Sequence, residues 1–235
     1  MKRLFDLVVT LLASLAWIPV LIGAAVAIVV LDGLPVLYVS RRRVFRDRSI
    51  RLVKFRTMRR DAERLANRSN VPEEGTHFLN IPPDSPLYTP VGRVLERCCF
   101  TELPQLFHVL AGQMSLVGNR PLPEDVIAAL KAEFPHVEDR FLSPSGLTGP
   151  IQLAGRERLS DAQRLRIEIA YCKVAQSSYS MWLDLQVLLY TVMLGARLRK
   201  SFTAEEVERL LARFDRSPGA VSARDLSPSD RLGPL

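Results

Sequence analysis

From residue 7 to residue 31 the chain runs for twenty-five positions without a charged side chain. Nothing else in the sequence limits its fold so tightly. A straight helix of that length is about 37 Å long, enough to cross a hydrocarbon core of about 30 Å. A removable signal peptide does not fit, because the run is too long and no small-residue cleavage site leads into a polar start. Pro19 lies within the run. Proline removes a backbone donor and clashes with the preceding turn, so it bends or breaks a helix. Cations flank both ends: Lys2 and Arg3 before, and Arg41, Arg42, Arg43, Arg46 and Arg48 after. Positive flanks favour the cytoplasmic side, and a crossing helix cannot place both there. A segment that dips into the bilayer, turns at Pro19 and returns can do so, with Ser14 available to a freed carbonyl. These grounds leave both geometries open.

The chain has 235 residues, 48% of them hydrophobic. That is rich for a soluble domain and poor for a polytopic membrane protein, and it suits one membrane segment on a folded body. The net charge of +7 is unevenly placed: residues 1–60 hold twelve basic and three acidic side chains, and the remainder twenty and twenty-two. Basic excess beside an apolar run suits anionic headgroups. No nucleic-acid motif accompanies it, so nucleic acid is not an expected partner. Cys98, Cys99 and Cys172 are an odd set with two adjacent members. They form no disulfide framework, imply a reduced compartment, and Cys98 and Cys99 read as small buried apolar residues.

Residues 36–40 read as a short extended run, and residues 51–55 alternate basic and apolar side chains like a half-buried strand. Residues 59–68 look helical. Residues 69–90, with six turn-forming Pro and Gly, read as irregular loop. Helices are expected from 91, over 103–110, over 123–134 with Pro123 in the first turn, over 160–174, over 181–200 and over 205–214. From 217 onward, Pro, Ser, Gly and charges predict a disordered tail. Trp182, Tyr190 and the basic end at Arg197, Arg199 and Lys200 suit a helix lying on the membrane interface, and Asp184 argues against deep burial. The expected architecture is mainly α with a small strand component. It has an N-terminal membrane segment (1–35), a compact α/β body with interfacial amphipathic helices (36–202), and a short helix with a tail (203–235).

Residues 101–121 read Thr-Glu-Leu-Pro-Gln-Leu-Phe-His-Val-Leu-Ala-Gly-Gln-Met-Ser-Leu-Val-Gly-Asn-Arg-Pro. Two other stretches accompany it: Lys54-Phe55-Arg56-Thr57-Met58, and residues 143–156, Ser-Pro-Ser-Gly-Leu-Thr-Gly-Pro-Ile-Gln-Leu-Ala-Gly-Arg. With Lys2-Arg3-Leu4-Phe5-Asp6 and Pro19, these resemble the motifs of the bacterial monotopic phosphoglycosyl transferases, in order and over roughly residues 2–202. The family pattern in the first stretch is Asp-Glu-Leu-Pro-Gln-Leu, a spacer, then Met-Ser-Leu-Val-Gly-Pro-Arg-Pro. The resemblance implies a re-entrant membrane helix on the cytoplasmic face of the bacterial inner membrane. It also implies transfer of a sugar-1-phosphate from a UDP-sugar to polyprenyl phosphate, with Mg2+. Such a step initiates exopolysaccharide, capsule, O-antigen or glycoconjugate assembly, and downstream glycosyltransferases are the implied protein partners.

A reaction between two anions needs cations, and the arginine fork meets phosphate oxygens in pairs. Lys54, Arg56, Arg120 and Arg156 sit in the matching motifs, and are the candidates for binding substrate phosphates near Glu102. Gly146, Gly149 and Gly155 would let backbone approach a ligand. In the family the aspartate of the Asp-Glu pair is the nucleophile, carrying the phosphosugar after UMP leaves. Here Thr101 stands in its place, and Thr101 and Glu102 are the catalytic candidates. Glu96-Arg97 stands where two cations are usual, Asn119 replaces a proline, Pro150 an apolar residue and Ile18 a serine. A hydroxyl needs a base to attack, and neighbouring side chains on a helix do not face each other. A threonine ester would also leave less readily than an acyl phosphate. One reading has the lipid phosphate attack directly, with Glu102 assisting. Another is a catalytically silent relative that binds polyprenyl phosphate, nucleotide sugar or a partner enzyme as a scaffold or regulator. A third is a different reaction on the same scaffold. The sequence assigns no metal ligand and no particular sugar.

Overall fold

The apolar run folds as two helices rather than one. The computed structural model describes residues 1–65, 81, 85–155, 159–177 and 179–215. Helix α1 (Lys2–Leu12) and helix α2 (Ser14–Ala27) meet at Ala13, and a π turn (Ile28–Asp32) continues α2. Pro19 lies inside α2, so the interruption falls at Ala13 and not at the proline. Side chains claim the carbonyls freed there. The Trp17 indole donates to Thr10 O at 3.1 Å, and Ser14 Oγ donates to Leu11 O at 2.6 Å. Trp17 is buried and meets Phe107 edge-on at 5.3 Å, which fixes the junction against the body. The stretch Ser14–Asp32 is long and apolar enough to cross a membrane by length and composition.

Both ends of the run are held by the body. Lys2 Nζ donates to Val117 O at 2.8 Å and to Asp184 at 2.6 Å. Arg3 donates to the carbonyls of Val109 and Leu110. Asp6, buried, accepts from Ser115 Oγ and from the Leu116 backbone N–H, both at 3.0 Å. At the other end, Arg56 donates to the carbonyls of Asp32, Gly33 and Leu34 at 2.8, 2.6 and 3.1 Å. Lys2 and Arg3 therefore bind the protein's own acceptors, where the charge pattern had placed them on headgroups.

Strands β1 (Leu37–Phe45) and β2 (Arg48–Phe55) form one antiparallel hairpin, with Leu37 opposite Phe55 and Phe45 opposite Arg48. The turn is Arg46-Asp47, with Arg46 at φ 44°. The two short extended runs are thus parts of longer strands. Apart from Arg46 in the turn, the cations between them are strand residues, and Arg43 pairs with Glu124 at 2.5 Å and Glu138 at 2.7 Å. Of the helix expected over 59–68, helix α3 (Ala62–Leu65) is seen, and residues 66–68 lie outside the described residues. The loop expected over 69–90 lies mostly outside the described residues, as does the tail expected from 217.

Helix α4 (Pro90–Arg97) opens with Pro90 at its first position and Thr89 capping Gly92 N. The segment expected as one helix over 103–110 is a 3-10 turn (Leu103–Gln105) followed by α5 (Leu106–Leu110). Strand β3 (Ser115–Val117) pairs in parallel with β4 (Gly146–Thr148). The two approach so closely that a Cβ at Gly146 would sit 2.1 Å from Gly118 N, and one at Gly149 2.2 Å from Gly118 O. These glycines make room for main chain, where the sequence reading had them make room for a ligand.

Helix α6 (Glu124–Glu133) is capped by Pro123, and its Val126, Ile127 and Leu130 form a small core with Leu122, Val137 and Phe141. The main core gathers Trp17, Val44, Leu116, Val117 and Leu153 with the last helices: α7 (Pro150–Ala154), α8 (Asp161–Ser177), α9 (Met181–Gly195) and α10 (Ala204–Ala212). Helix α10 carries a Thr203–Glu206 capping box and sets Val207, Leu210 and Leu211 into that core. Helix α9 stops at Gly195, short of residue 200, and Arg197 at φ 57° turns the chain away. Asp184 faces inward and is buried, bonded by Lys2 and by Tyr171 Oη at 3.0 Å. Trp182, Leu185, Leu189 and Val192 lie exposed on the opposite side of α9.

Candidate active site

The site is built where α4 ends. The N–H of Cys99 donates to Glu96 O at 3.1 Å, and that of Phe100 to Leu95 O at 2.9 Å. This paired reversal, with a left-handed residue between, is a Schellman stop. Cys99 supplies the left-handed residue at φ 59°. Glycine usually fills that position, because a Cβ there costs roughly 1–2 kcal/mol. Cys98 and Cys99 are exposed on this turn, not buried as expected. The reversal carries residue 101 back beneath the helix it has left, and the buried Thr101 hydroxyl donates to Glu96 Oε2 at 2.9 Å. Phe55 N donates to Thr101 O at 2.9 Å, tying the turn to β2.

Glu102 forms an ion pair with Arg120, which follows β3. Behind Arg120 lies a buried support. Arg140 donates to Arg120 O at 2.9 Å and grips both oxygens of Glu168 at 2.6 and 2.7 Å. Asn119 Nδ2 bridges the carbonyls of Arg140 and Glu168, each at 2.9 Å. The asparagine thus locks the turn before Arg120. Lys54, on β2, lies over the Tyr38 ring at 5.3 Å.

The charges act on one another. Burial, and then repulsion from Arg120, hold the Lys54 ammonium below the ordinary lysine value, against the opposing pull of Glu102 and Glu96. Burial works to lower Arg120 as well, but the charge and hydrogen bond of Glu102 outweigh it and hold the guanidinium above its usual value. Burial and the negative charge of Glu96 push the Tyr88 hydroxyl up to about 12. Lys54, Glu96, Glu102 and Arg120 therefore share one electrostatic neighbourhood around Thr101.

Of the four cations selected from the motifs, Arg120 pairs with Glu102, and Lys54 is coupled to both only through their charges. The Arg56 guanidinium is instead occupied by the carbonyls at the end of the apolar run. Arg156 lies outside the described residues. Sequence reasoning missed the Arg140–Glu168 support, whose partners are 28 residues apart with no local signal. It also missed Arg164, a buried arginine that burial lowers and that feels Glu168 and Arg120. It flagged Glu96 as a departure but not as the partner of Thr101. A Schellman stop on cysteine offers none of the glycine that would reveal it.

Two carboxylates and two cations, side by side at the surface of the body, can hold phosphate oxygens and present an oxygen nucleophile to them. Among the described residues no group of three His, Cys, Asp or Glu is gathered as a metal site. Mg2+ needs fewer protein ligands when substrate phosphates complete its shell, and Glu102 could supply one carboxylate.

Known proteins share this chain's pattern. It is 31% identical to the exopolysaccharide production protein ExoY of Sinorhizobium fredii over 195 residues, covering 81% of this chain and 83% of that protein. It is also 31% identical over 196 residues to the UDP-glucose:undecaprenyl-phosphate glucose-1-phosphate transferase of Caulobacter vibrioides, covering 81% and 68%. Against the galactosyl transferase CpsE of Streptococcus agalactiae it is 34% identical over 170 residues, 70% of this chain. The match spans only 36% of that relative's length. Residues 1–197 match the family model described as bacterial sugar transferase, so the chain belongs to the bacterial sugar transferase family.

Proposed function

We propose that this protein transfers a sugar-1-phosphate from a UDP-sugar to polyprenyl phosphate at the membrane, the first step of exopolysaccharide, capsule or related glycoconjugate assembly. The observation that carries the reading is the Glu102–Arg120 ion pair beside Thr101, with Lys54 coupled to it through charge, on a body that grips both ends of an apolar run. Coulomb repulsion between a nucleotide sugar and a lipid phosphate must be offset where they meet, and Lys54 and Arg120 stand there. Relatives named as undecaprenyl-phosphate glucose phosphotransferases support the same substrates. Mg2+, when bound, supplies further positive charge to the phosphate oxygens. Glu102 is the residue that would hold it.

The two grips bear on topology. Lys2 with Asp184 and Arg56 with the 32–34 carbonyls fasten both ends of the run to one body, which supports a reading with both ends on one side of the bilayer. The segment then enters and returns, and the body sits on the cytoplasmic face of the inner membrane. The exposed apolar faces of α1 (Leu4, Val8, Leu11) and α9 (Trp182, Leu185, Leu189, Val192) suit the same interface. Cysteine labelling at Met1 and Ser40 in intact cells should find neither residue periplasmic. Labelling of either would overturn the re-entrant topology.

The activity is tested by UMP release from a panel of UDP-sugars with undecaprenyl phosphate, using the purified full chain in detergent. Release that depends on one sugar is expected. No release with any sugar, in the presence of lipid and Mg2+, would refute the transferase reading.

A further inference from the structure

We propose that Glu96, and not Thr101, is the nucleophile that carries the sugar phosphate, with the Thr101 hydroxyl orienting its carboxylate. The inference rests on the transferase reading and adds the identity of the reacting atom.

Three observations lead to it. The first is the division of labour between the two carboxylates. Glu102 is joined to Arg120, whereas Glu96 makes no ion pair within 4 Å among the described residues and is held by the Thr101 hydroxyl. The second is the direction of that hydrogen bond. Thr101 donates its only proton to Glu96 Oε2. A carboxylate is many orders of magnitude too weak a base to ionise an alcohol, so the bond positions the carboxylate without activating the hydroxyl. It leaves Oε1 as the oxygen free to attack. The third is the fixed reach of the pair. The Schellman stop at Cys99 locks residues 96 and 101 together, and Glu96 acts electrostatically on both Lys54 and Arg120, the cations assigned to the phosphates.

The energetics of group transfer favour the same atom. The donor nucleotide sugar and the product lipid diphosphate sugar both contain a phosphoric anhydride. A threonine phosphodiester between them would be a low-energy trap, and the second step would run uphill. A carboxylic–phosphoric anhydride on Glu96 keeps both steps nearly level. In the first step Glu96 Oε1 bonds to the sugar-bearing phosphorus. The bond from that phosphorus to the bridging oxygen breaks, and UMP leaves with the electron pair. In the second step an oxygen of polyprenyl phosphate bonds to the same phosphorus, and the Glu96 carboxylate leaves with its pair restored. Neither step requires a proton transfer. Glu96 thus provides, five residues upstream, the carboxylate that position 101 lacks.

The test uses the full chain, the UDP-sugar that releases UMP in the assay above, a label in its sugar-bearing phosphate, and no lipid. The expected result is a burst of UMP matched by protein-bound label. Neutral hydroxylamine should remove the label and leave a hydroxamate on the peptide bearing Glu96. Glu96→Gln should abolish burst and label. Thr101→Ala should keep the label hydroxylamine-sensitive while slowing the burst about ten-fold, the loss expected for one hydrogen bond to a charged group. Glu96→Asp, which retains the charge one methylene shorter, controls for folding and should give a slow burst with label on residue 96. A hydroxylamine-stable label on Thr101, a hydroxamate on Glu102, or UMP that appears only with lipid and without label would each overturn the proposal while the transferase reading stands. If UMP appears under no condition, the transferase reading fails and this proposal fails with it.

Discussion

Arg140 and Glu168 have side chains 0% and 3% exposed, and the arginine meets both carboxylate oxygens. Arg120 and Glu102, at 34% and 21%, are also paired but are partly exposed. The first pair is enclosed by Asn119, Arg120 O and Cys172, so nothing can replace either partner without leaving the other charge buried. The second pair has one face toward solvent, where a phosphate can take over the guanidinium and free the carboxylate. The same two residue types therefore build a rigid support in one place and an exchangeable contact in the other. Burial separates them.

The comparison is broken most severely at the enclosed pair. Glu168→Ala leaves an uncompensated buried guanidinium and should cost about 3–5 kcal/mol of stability, read as a large fall in Tm or loss of folded protein. A change below about 1 kcal/mol would show that water or another anion reaches Arg140, and the two pairs would no longer differ in kind. Glu102→Gln should behave in the opposite way. Stability should change by less than about 1 kcal/mol, as for partly exposed ion pairs, while UMP formation falls about ten-fold or more. Equal damage to Tm and turnover would make Glu102 a structural residue.

Lys54 sharpens the open side through pH. Its ammonium is held below the ordinary lysine value by burial and Arg120, so it loses its proton at lower pH in the fold than in the unfolded chain. Between those two values the unfolded chain binds more protons, and stability contributed by this group rises with pH across that window. Activity should move the other way. Substrate binding should weaken as pH climbs through the lowered Lys54 value, before an ordinary lysine would titrate. Lys54→Arg should push that alkaline fall to higher pH, measured as KM against pH. An unmoved profile would take Lys54 out of the phosphate site. The smallest expected effect is at the turn that holds Glu96 to Thr101. Cys99→Gly relieves a left-handed cysteine and should raise stability by about 1 kcal/mol with turnover unchanged.

Much of this was legible because it is local. The charge-free run, the helices after residue 90 and the motif around Glu102 and Arg120 are carried by spacing and residue type. The Glu102–Arg120 pair was reachable through a family resemblance, since separate elements must pack to produce it. What escaped is non-local or chemically disguised. Arg41 to Arg48 looked like a basic flank because their hairpin partners and Glu124 lie elsewhere in the chain. The break at Ala13 escaped because Pro19 is the conspicuous residue, whereas the structural cause is a tryptophan reaching back to Thr10. Arg56 carries a family motif yet closes the membrane segment against the body, a role that only the positions of three carbonyls reveal.

The docking of α1 has a practical side. Truncating the apolar segment to obtain a soluble protein would remove Lys2 from Asp184 and Asp6 from Ser115 and Leu116 N–H. Asp184 and the β3 main chain are buried, so the shortened chain would carry an unneutralised carboxylate and an unmet amide inside its core. For this protein, extraction with an amphiphile that leaves residues 1–35 in place is the sounder preparative route.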